Sequence, residues 1–287
     1  MKVLSMLVNA IITFCVAITF LLLICIADPL VKLVSVMGHR RLAKELTRKI
    51  ACLVQLLPRA WGTRFNYHFD TGGENWDESK PVIFVSSHHS CFDIVLLTSV
   101  LGGLLRDRQF SFISRSGLDR YIPLISFYLR QFCFSLPRFK SEDSAENRRA
   151  AHTMLADFAR SQARCNGVVV IFPEGMKPVN STEHNAPFRR NGLRVLLEQM
   201  PDAILVPVAI KGTREFYTTG RTVSQLLHQL PRFFTTIDLS IMPAVEADSI
   251  EEKIDLAESQ IASEYSRLKR LSKDRKPAAH QALKWIR

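Results

Sequence analysis

The sequence predicts an α/β fold in which a mostly parallel central sheet is flanked by helices, with an N-terminal membrane-anchoring helical segment. Three observations lead to this prediction. Short β-rich runs alternate with helical patterns, polar residues follow two of the apolar runs, and the chain starts with a long uncharged stretch. The 287 residues are 47% hydrophobic and 23% charged, which excludes wholesale disorder.

The first segment is apolar enough to cross a membrane. Val3–Ala27 has 25 residues and no charge. As a helix it would be about 37 Å long, against a hydrocarbon core of about 30 Å. The sequence Cys-Ile-Ala-Asp at its end is a poor cleavage site, so an anchor is favoured over a signal peptide or a monotopic hairpin. Basic residues concentrate just after the span, which places the rest of the chain on the cytoplasmic side.

Two further segments suit an anionic membrane surface, in agreement with the net charge of +11. From Pro29 to Leu57, apolar residues recur at helical spacing with basic residues between them. This pattern indicates an amphipathic helix, either on lipid headgroups or packed on the domain. The basic segment Arg267–Arg287 is either a solvated tail or a second contact with anionic lipid. The predicted organisation is an anchor at 1–28, a basic amphipathic helical segment at 29–66, an α/β domain at 67–246 and a basic C-terminal helix or tail at 247–287.

Strands and helices are predicted in alternation through the central region. Apolar and β-branched runs predict strands at Val82–Ser86, Phe110–Ile113, Phe132–Leu136, Val168–Phe172, Ile204–Ile210 and Thr235–Met242. Helical periodicity predicts helices at Ile94–Leu105, Leu118–Arg130, Ala145–Ala163, Gly192–Met200 and Ser249–Leu271. Strands separated by helices imply a mostly parallel sheet that is covered on both faces.

The first polar block, Ser87–Asp93, leaves a buried strand and enters a helix. A histidine five positions before a carboxylate, as His88 is before Asp93, can place the two groups within hydrogen-bond reach. The carboxylate would then hold one ring nitrogen as a donor and leave the other as a general base. The end of an apolar strand is also where open α/β sheets place their active sites. A metal site made of His88, His89 and Cys91 is a weaker alternative, because no spacing supplies a fourth ligand.

The second polar block follows the predicted strand Val168–Phe172. Pro173 would end the strand, and Gly175 would let backbone N–H groups approach an anionic ligand closely. Glu174 could accept hydrogen bonds from a polyol or pair with a cation. A plain strand-terminating turn is the alternative interpretation of this block.

Together these blocks resemble the glycerolipid acyltransferase family typified by lysophosphatidic acid acyltransferases. The family pattern Asn-His-x-Ser-x-x-Asp corresponds to Ser87–Asp93, Phe-Pro-Glu-Gly-Thr-Arg to Phe172–Lys177, and Pro-Phe-Lys-x-Gly-Gly to Pro187–Gly192. A Val-Pro-Val strand matches Val206–Val208, and Phe132–Arg138 occupies the place of a β-rich run that ends in arginine. The resemblance covers residues 80–215.

The resemblance implies a membrane-bound enzyme that moves a fatty acyl group from a thioester, either acyl-CoA or acyl carrier protein, to the free hydroxyl of a lysophospholipid. Lysophosphatidic acid is the first acceptor expected, giving phosphatidic acid, and another lysolipid is the next. The resemblance makes His88 the general base and Asp93 its orienting partner. It assigns the acceptor to five binding residues, Arg138, Glu174, Gly175, Lys177 and Arg189. Thioesters are already activated, so neither a metal nor another cofactor is expected.

Three departures from the family pattern leave the acceptor open. Ser87 replaces the usual asparagine, Pro137 replaces an acidic residue, and Met176-Lys177 replaces Thr-Arg. Lys177 keeps the positive charge but lacks the planar fork that binds a phosphate bidentately.

A second class of function stays open at this point, namely a non-catalytic membrane scaffold that binds anionic lipid. Such a protein has no need for His88, Asp93, Arg138 and Glu174 at these four places. Nucleic acid is not expected as a partner, because the sequence has no helix-turn-helix or zinc-finger signature and a membrane span accounts for the positive charge.

Overall fold

The computed structural model describes residues 26, 29–31, 33–60, 63–70, 77–90, 92–105, 108, 110–115, 132–136, 145–174, 187–213 and 236–274. The elements within these residues are α1 (Arg40–Ala60), β1 (Arg64–Phe69), β2 (Val82–Ser86), α2 (Phe92–Leu104), β3 (Phe110–Arg115), β4 (Cys133–Leu136), α3 (Ala145–Arg164), β5 (Val168–Ile171), α4 (Arg190–Gln199), β6 (Ile204–Lys211), β7 (Thr236–Ile241) and α5 (Ile250–Asp274).

The strands form one seven-stranded sheet in the order β1-β7-β6-β2-β5-β3-β4. Every neighbouring pair is parallel except β6 and β7. The prediction of a mostly parallel α/β sheet flanked by helices is therefore confirmed. Because β2, β3, β4, β5 and β6 run in the same direction, their carboxyl ends meet at one edge of the sheet. We call this the carboxyl edge.

The central strands are apolar because both of their faces are covered. All residues of β2 and β5 are buried, as expected for strands with helices on both sides. On one face, Phe84 and Val170 pack against α2, in which Leu97 and Leu101 are fully buried. The opposite face, which includes Val85, is covered by α3, α4 and α5. The site described below lies where these two layers reach the carboxyl edge.

The predicted elements agree closely with the described ones. Each predicted strand lies within two residues of its observed bounds, and the predicted helices lie within three. The predicted helix Leu118–Arg130 lies outside the described residues. Strand β1 was not predicted, although its polar residues Asn66 and His68 alternate with aromatic ones, which is a pattern typical of half-buried strands. Among the described strands, it pairs with β7 alone.

The predicted continuous helix over Pro29–Leu57 is wrong in one respect, since it is interrupted at Gly38. Residues 33–36 are helical, and α1 starts only at Arg40. Gly38 has a φ of 84°, which is accessible to glycine without strain. Its N–H donates to Ser35, and the N–H of His39 donates to Val34 at 3.2 Å. These bonds form a Schellman motif, which ends the first helix.

The predicted membrane anchor, Val3–Ala27, lies outside the described residues except for Ile26, which is exposed. Among the residues that are described, no helix combines the length and the hydropathy needed to cross a bilayer. Helix α5 continues to Asp274, and the rest of the basic C-terminal segment lies outside the described residues.

Gly212, which follows β6, is expected to tolerate no side chain. Its φ is 94°, and a Cβ atom there would lie 2.1 Å from the carbonyl oxygen of Thr236. Gly212→Ala should therefore lower the free energy of unfolding by about 2 kcal/mol or more. Gly103→Ala is the matched control, because Gly103 lies in α2 with nothing within 4 Å of its Cβ position. Urea unfolding followed by circular dichroism tests both, and equal midpoints for the two variants would contradict this account.

Candidate active site

The start of α2 is fixed by a capping box between Ser90 and Asp93. The Ser90 hydroxyl accepts a hydrogen bond from the N–H of Phe92 at 3.1 Å. In return, Asp93 Oδ2 accepts one from the N–H of Ser90 at 2.8 Å. The pair satisfies N–H groups that the first turn of a helix leaves without partners. As a result, the Asp93 carboxylate is held at the carboxyl edge, directly after β2.

The same carboxylate binds the imidazole of His88. The distance from His88 Nδ1 to Asp93 Oδ2 is 3.0 Å, and the N–H of His89 also donates to Oδ2, at 2.6 Å. Nδ1 therefore donates its proton to the carboxylate, and the second ring nitrogen, Nε2, has its lone pair available as a base. The predicted contact between His88 and Asp93 is present. The N–H groups of His89 and Ser90 are occupied by Asp93, which leaves an oxyanion to be bound by other donors.

Asp93 is completely buried, yet it is held as an anion. Burial by itself would raise the pKa of its carboxyl group. The hydrogen bond from His88, electrostatic attraction by His88 and His89, and the N–H of Ser90 outweigh burial and lower the pKa of Asp93 below its usual value. The positive end of the α2 dipole acts in the same direction. An anionic Asp93 favours the tautomer in which Nδ1 of His88 carries the proton.

The His88 ring is also fixed by an aromatic contact. It stacks on Phe172 with the ring centroids 4.4 Å apart and an angle of 29° between the planes. Phe172 in turn stacks on Phe112 of the α2-facing core, with the centroids 6.1 Å apart. Because Phe172 immediately precedes Pro173 and Glu174, this contact brings the two polar blocks of the sequence together. It follows from the register of β2 and β5, in which Val85 lies opposite Ile171.

Ser87, which stands where the family has asparagine, has a structural role. It is fully buried, and its hydroxyl accepts a hydrogen bond from the N–H of Ile210 at 2.9 Å. Its own N–H donates to the carbonyl of Val208 at 3.2 Å. These bonds extend the pairing of β2 with β6 up to the residue before His88. The short side chain thus fixes the backbone from which the imidazole projects.

The structure describes two of the five predicted binding residues, Glu174 and Arg189. Glu174 is buried, 5% exposed, in the turn that follows β5. Arg189 is exposed, and its N–H donates to the carbonyl of Pro173 at 2.8 Å, so both residues lie at the carboxyl edge. The other three predicted residues lie outside the described residues. They are Arg138, Gly175 and Lys177.

The neighbouring arginine, Arg190, has a different environment. Its guanidinium pairs with Asp255 at 2.6 Å and with Glu258 at 2.9 Å, both on α5. Glu258 also accepts a hydrogen bond from the N–H of Phe188. Arg190 therefore joins α4 to α5, whereas the adjacent Arg189 stays exposed at the edge of the sheet.

The alternative of a metal site has no support among the described residues, where no three His, Cys, Asp or Glu side chains form a group that could hold a metal ion. Cys91, one of the ligands proposed for it, lies outside that part of the chain. Cys133 is described, and burial raises the pKa of its thiol to about 12, which makes it a poor nucleophile.

Three residues with roles at the site were not predicted. Ser90 could have been found from the capping-box spacing of Ser90 and Asp93, which the sequence displays. Phe172 lies in a recognised block, but nothing in its pattern says that its ring supports an imidazole. Tyr265 of α5 contacts the His89 ring with the centroids 5.3 Å apart. No local signal connects His89 with Tyr265, because 176 positions separate them in the chain.

Comparison with known proteins points to a single enzyme class. A family model described as Acyltransferase matches residues 68–211, half of the chain. Over 210 residues the chain is 25% identical to the human protein 1-acyl-sn-glycerol-3-phosphate acyltransferase beta. The match covers 69% of this chain and 67% of the human protein. The matched family segment contains β2, α2, β5 and β6, and hence His88, Asp93 and Glu174.

Proposed function

Because the chain belongs to the acyltransferase family and is an O-acyltransferase, we propose that it moves a fatty acyl group from a thioester to the free hydroxyl of a lysophospholipid at a membrane. The expected acceptor is lysophosphatidic acid and the product phosphatidic acid. The donor is acyl-CoA or acyl carrier protein. The observation on which the proposal rests is the hydrogen-bonded pair of His88 and Asp93 at the carboxyl edge. The non-catalytic scaffold is set aside, since the chain is an enzyme.

In the proposed reaction, His88 Nε2 takes the proton of the acceptor hydroxyl as the oxygen attacks the thioester carbonyl carbon. A C–O bond forms and gives a tetrahedral intermediate. Its collapse breaks the C–S bond, and the thiolate leaves with the proton that His88 returns. Asp93 stabilises the imidazolium between the two steps and fixes its orientation. General acid–base catalysis of this kind raises a reaction rate roughly 100-fold to 10,000-fold. Every group needed for this proton cycle belongs to the chain, so the mechanism requires no metal and no cofactor.

The acceptor would be bound at the carboxyl edge, beside His88. Arg189 is exposed there next to Pro173, and a guanidinium can bind a phosphate through two parallel hydrogen bonds. Glu174 lies in the turn after the strand that supplies Phe172, and a carboxylate is suited to accept hydrogen bonds from a glycerol hydroxyl. Arg138, Gly175 and Lys177 remain proposed contacts from the family pattern. The glycerol phosphate would thus lie close to the imidazole.

A position at the membrane surface is supported by the segment that precedes α1. Four large apolar side chains are exposed there, and Val36 is 85% exposed. They are Leu30, Leu33, Val36 and Met37. A cluster of this kind is costly in water and is accommodated in the lipid interface. Together with the proposed anchor at 1–28, the segment would hold the catalytic domain on the cytoplasmic face, where the lysolipid tail can stay in the bilayer.

Substitution of Arg189 by glutamine is expected to raise the KM for lysophosphatidic acid about tenfold, because an exposed charge-assisted bond to phosphate is lost. The measurement is thiol release from acyl-CoA or from acyl carrier protein by the purified full chain in detergent, with lysophosphatidic acid as acceptor. Arg190→Gln is the matched control. It breaks the ion pairs with Asp255 and Glu258, so it should lower the melting temperature and leave the KM for the acceptor near its wild-type value.

The acceptor class is tested in the same assay with neutral lysolipids beside lysophosphatidic acid. The proposal expects the highest kcat/KM for lysophosphatidic acid and a loss of that preference in Arg189→Gln. No acylation of any lysolipid with either donor would reject the proposed function. Equal effects of Arg189→Gln and Arg190→Gln on KM would reject the role of Arg189.

A further inference from the structure

Helix α3 carries three exposed basic residues near its start, at the carboxyl edge, that have no role in the proposed reaction. We call Arg148, Arg149 and His152 the basic face. The helix follows β4 and precedes β5, and these strands are parallel within the sheet, so α3 starts at the carboxyl edge and runs back along the strands. Ala145, Arg148, Arg149, His152 and Thr153 line a shallow, solvent-open depression of about 590 Å³ in its first two turns.

The basic face lies on the same side of α3 as the apolar residues that contact the sheet, but nearer the start of the helix. Leu155, Ala156 and Ala159 are buried against the face that α3 covers. The positions seven residues before each of them lie two turns earlier on the same side of the helix, and all three are basic and exposed. They are Arg148, Arg149 and His152. The side of α3 that packs on the sheet thus changes from apolar to basic where the helix starts at the carboxyl edge.

Two guanidinium groups at the start of a helix favour phosphate as a ligand. Arginine is always charged, and its fork matches two phosphate oxygens. The positive end of the helix dipole adds to the attraction. Among the described residues, neither Arg148 nor Arg149 has an ion pair within 4.0 Å, whereas Arg160, farther along the same helix, pairs with Asp157 and binds Gln199.

The basic face and His88 lie on opposite faces of the sheet, and this separation suits the phosphates of acyl-CoA better than the phosphate of the acceptor. The His88 ring stacks on Phe172, whose ring packs with the core on the α2 face of the sheet. Helix α3 covers the opposite face, where Phe158 stacks on Phe134 of β4. The phosphate of a lysophosphatidic acid is only a few bonds from the reacting hydroxyl and must stay near His88. In acyl-CoA, by contrast, the long pantetheine arm separates the thioester from the pyrophosphate and the 3′-phosphate.

We propose that Arg148, Arg149 and His152 bind the phosphate groups of coenzyme A and thereby make acyl-CoA the acyl donor. This inference rests on the proposed acyl transfer and adds the donor and its binding site. Acyl carrier protein is the less suitable occupant, because its phosphopantetheine arm carries one phosphate, whereas coenzyme A offers a pyrophosphate and a 3′-phosphate to the two guanidinium groups. Two guanidinium groups and an imidazole on two turns of one helix instead match the closely spaced phosphates of a nucleotide.

The test compares three donors, oleoyl-CoA, oleoyl-3′-dephospho-CoA and S-oleoyl-pantetheine, with the purified full chain in detergent and lysophosphatidic acid as acceptor. In the wild type, removal of the phosphates should raise the KM for the donor at least about tenfold. In the double variant R148Q/R149Q, the KM for oleoyl-CoA should rise about tenfold, and the advantage of oleoyl-CoA over S-oleoyl-pantetheine should disappear. Arg160→Gln is the matched control on the same helix and should leave all three KM values unchanged.

A binding measurement makes the test independent of turnover. Free coenzyme A, without acceptor, should bind the wild-type chain in isothermal titration calorimetry, and R148Q/R149Q should weaken it about tenfold. The inference is overturned if the double variant raises the KM for lysophosphatidic acid instead, if it affects S-oleoyl-pantetheine as much as oleoyl-CoA, or if it affects only acyl carrier protein. If no lysolipid is acylated but coenzyme A binds through these residues, the proposed acceptor is rejected while the donor site stands.

Discussion

Replacing His88 with alanine is expected to lower kcat about a thousandfold, because the acceptor hydroxyl then loses the group that removes its proton. The KM values for both substrates should change little, since alanine removes no phosphate contact. The ring is 19% exposed and contributes mainly its bond to Asp93 and its stacking on Phe172, so the fold should persist. Thiol release from acyl-CoA in the presence of lysophosphatidic acid measures kcat, and circular dichroism checks the fold.

The adjacent histidine supplies the matched comparison. His89 contacts Tyr265 through its ring, and its backbone N–H, which alanine retains, donates a hydrogen bond to Asp93. His89→Ala should therefore lower kcat by no more than about tenfold, an effect of positioning and not of proton transfer. Similar kcat values for His88→Ala and His89→Ala, or rapid turnover by His88→Ala, would reject His88 as the base.

Substitution of Asp93 by asparagine is expected to lower kcat by about a hundredfold to ten-thousandfold, and it should also destabilise the protein. Asparagine carries no charge, so it cannot stabilise the imidazolium of His88. Its neutral carbonyl oxygen can take the place of Oδ2, but it accepts the hydrogen bonds of the His89 and Ser90 N–H groups less strongly than a carboxylate does, and its NH2 group enters a buried position. Weakening a buried network of this kind costs about 2 kcal/mol. Both effects are measured on one preparation, by thiol release and by urea unfolding.

The pH dependence of stability gives an independent test of the same carboxylate. Its pKa is lowered in the folded protein, so its contribution is complete above the ordinary aspartate pKa of about 3.9 and is lost as the pH falls from there toward the folded-state pKa. The difference in free energy of unfolding between wild type and Asp93→Asn should therefore become smaller as the pH falls from about 4 toward the folded-state pKa of Asp93. A difference that stays the same or grows below about pH 4 would contradict an anionic Asp93.

The sequence predicted most of the sheet because its strands are buried on both faces. β2 and β5 consist almost wholly of branched apolar residues, which leaves little ambiguity about their structure. β1 was missed although its polar and aromatic residues alternate as in a half-buried strand. Its place in the sheet could not be predicted, because its partner β7 lies 172 positions later, as the pairing of Asn66 with Asp238 shows. The break at Gly38 was missed because the apolar spacing continues on both sides of it. A single left-handed residue does not disturb that periodicity.

The candidate site was predictable where its contacts are local. His88 and Asp93 are five residues apart, and a strand-to-helix turn brings them together, so their spacing was sufficient. The contact of His88 with Phe172 depends on β2 lying next to β5, which the linear pattern does not contain. The different environments of Arg189 and Arg190 were likewise not predictable, because they follow from the position of α5 beside α4.

The order of the outer strands limits where the chain can be truncated without exposing the sheet. Among the described strands, β7 covers the outer side of β6 and is the one partner of β1, although β1 comes early in the sequence and β7 late. A fragment cut to the family match at 68–211 would lack β7 and most of β1, so it would leave β6 as an uncovered apolar edge. Such edges pair with other chains and aggregate. The recognised catalytic segment is therefore not a separable module, and expression boundaries have to enclose at least residues 63–274.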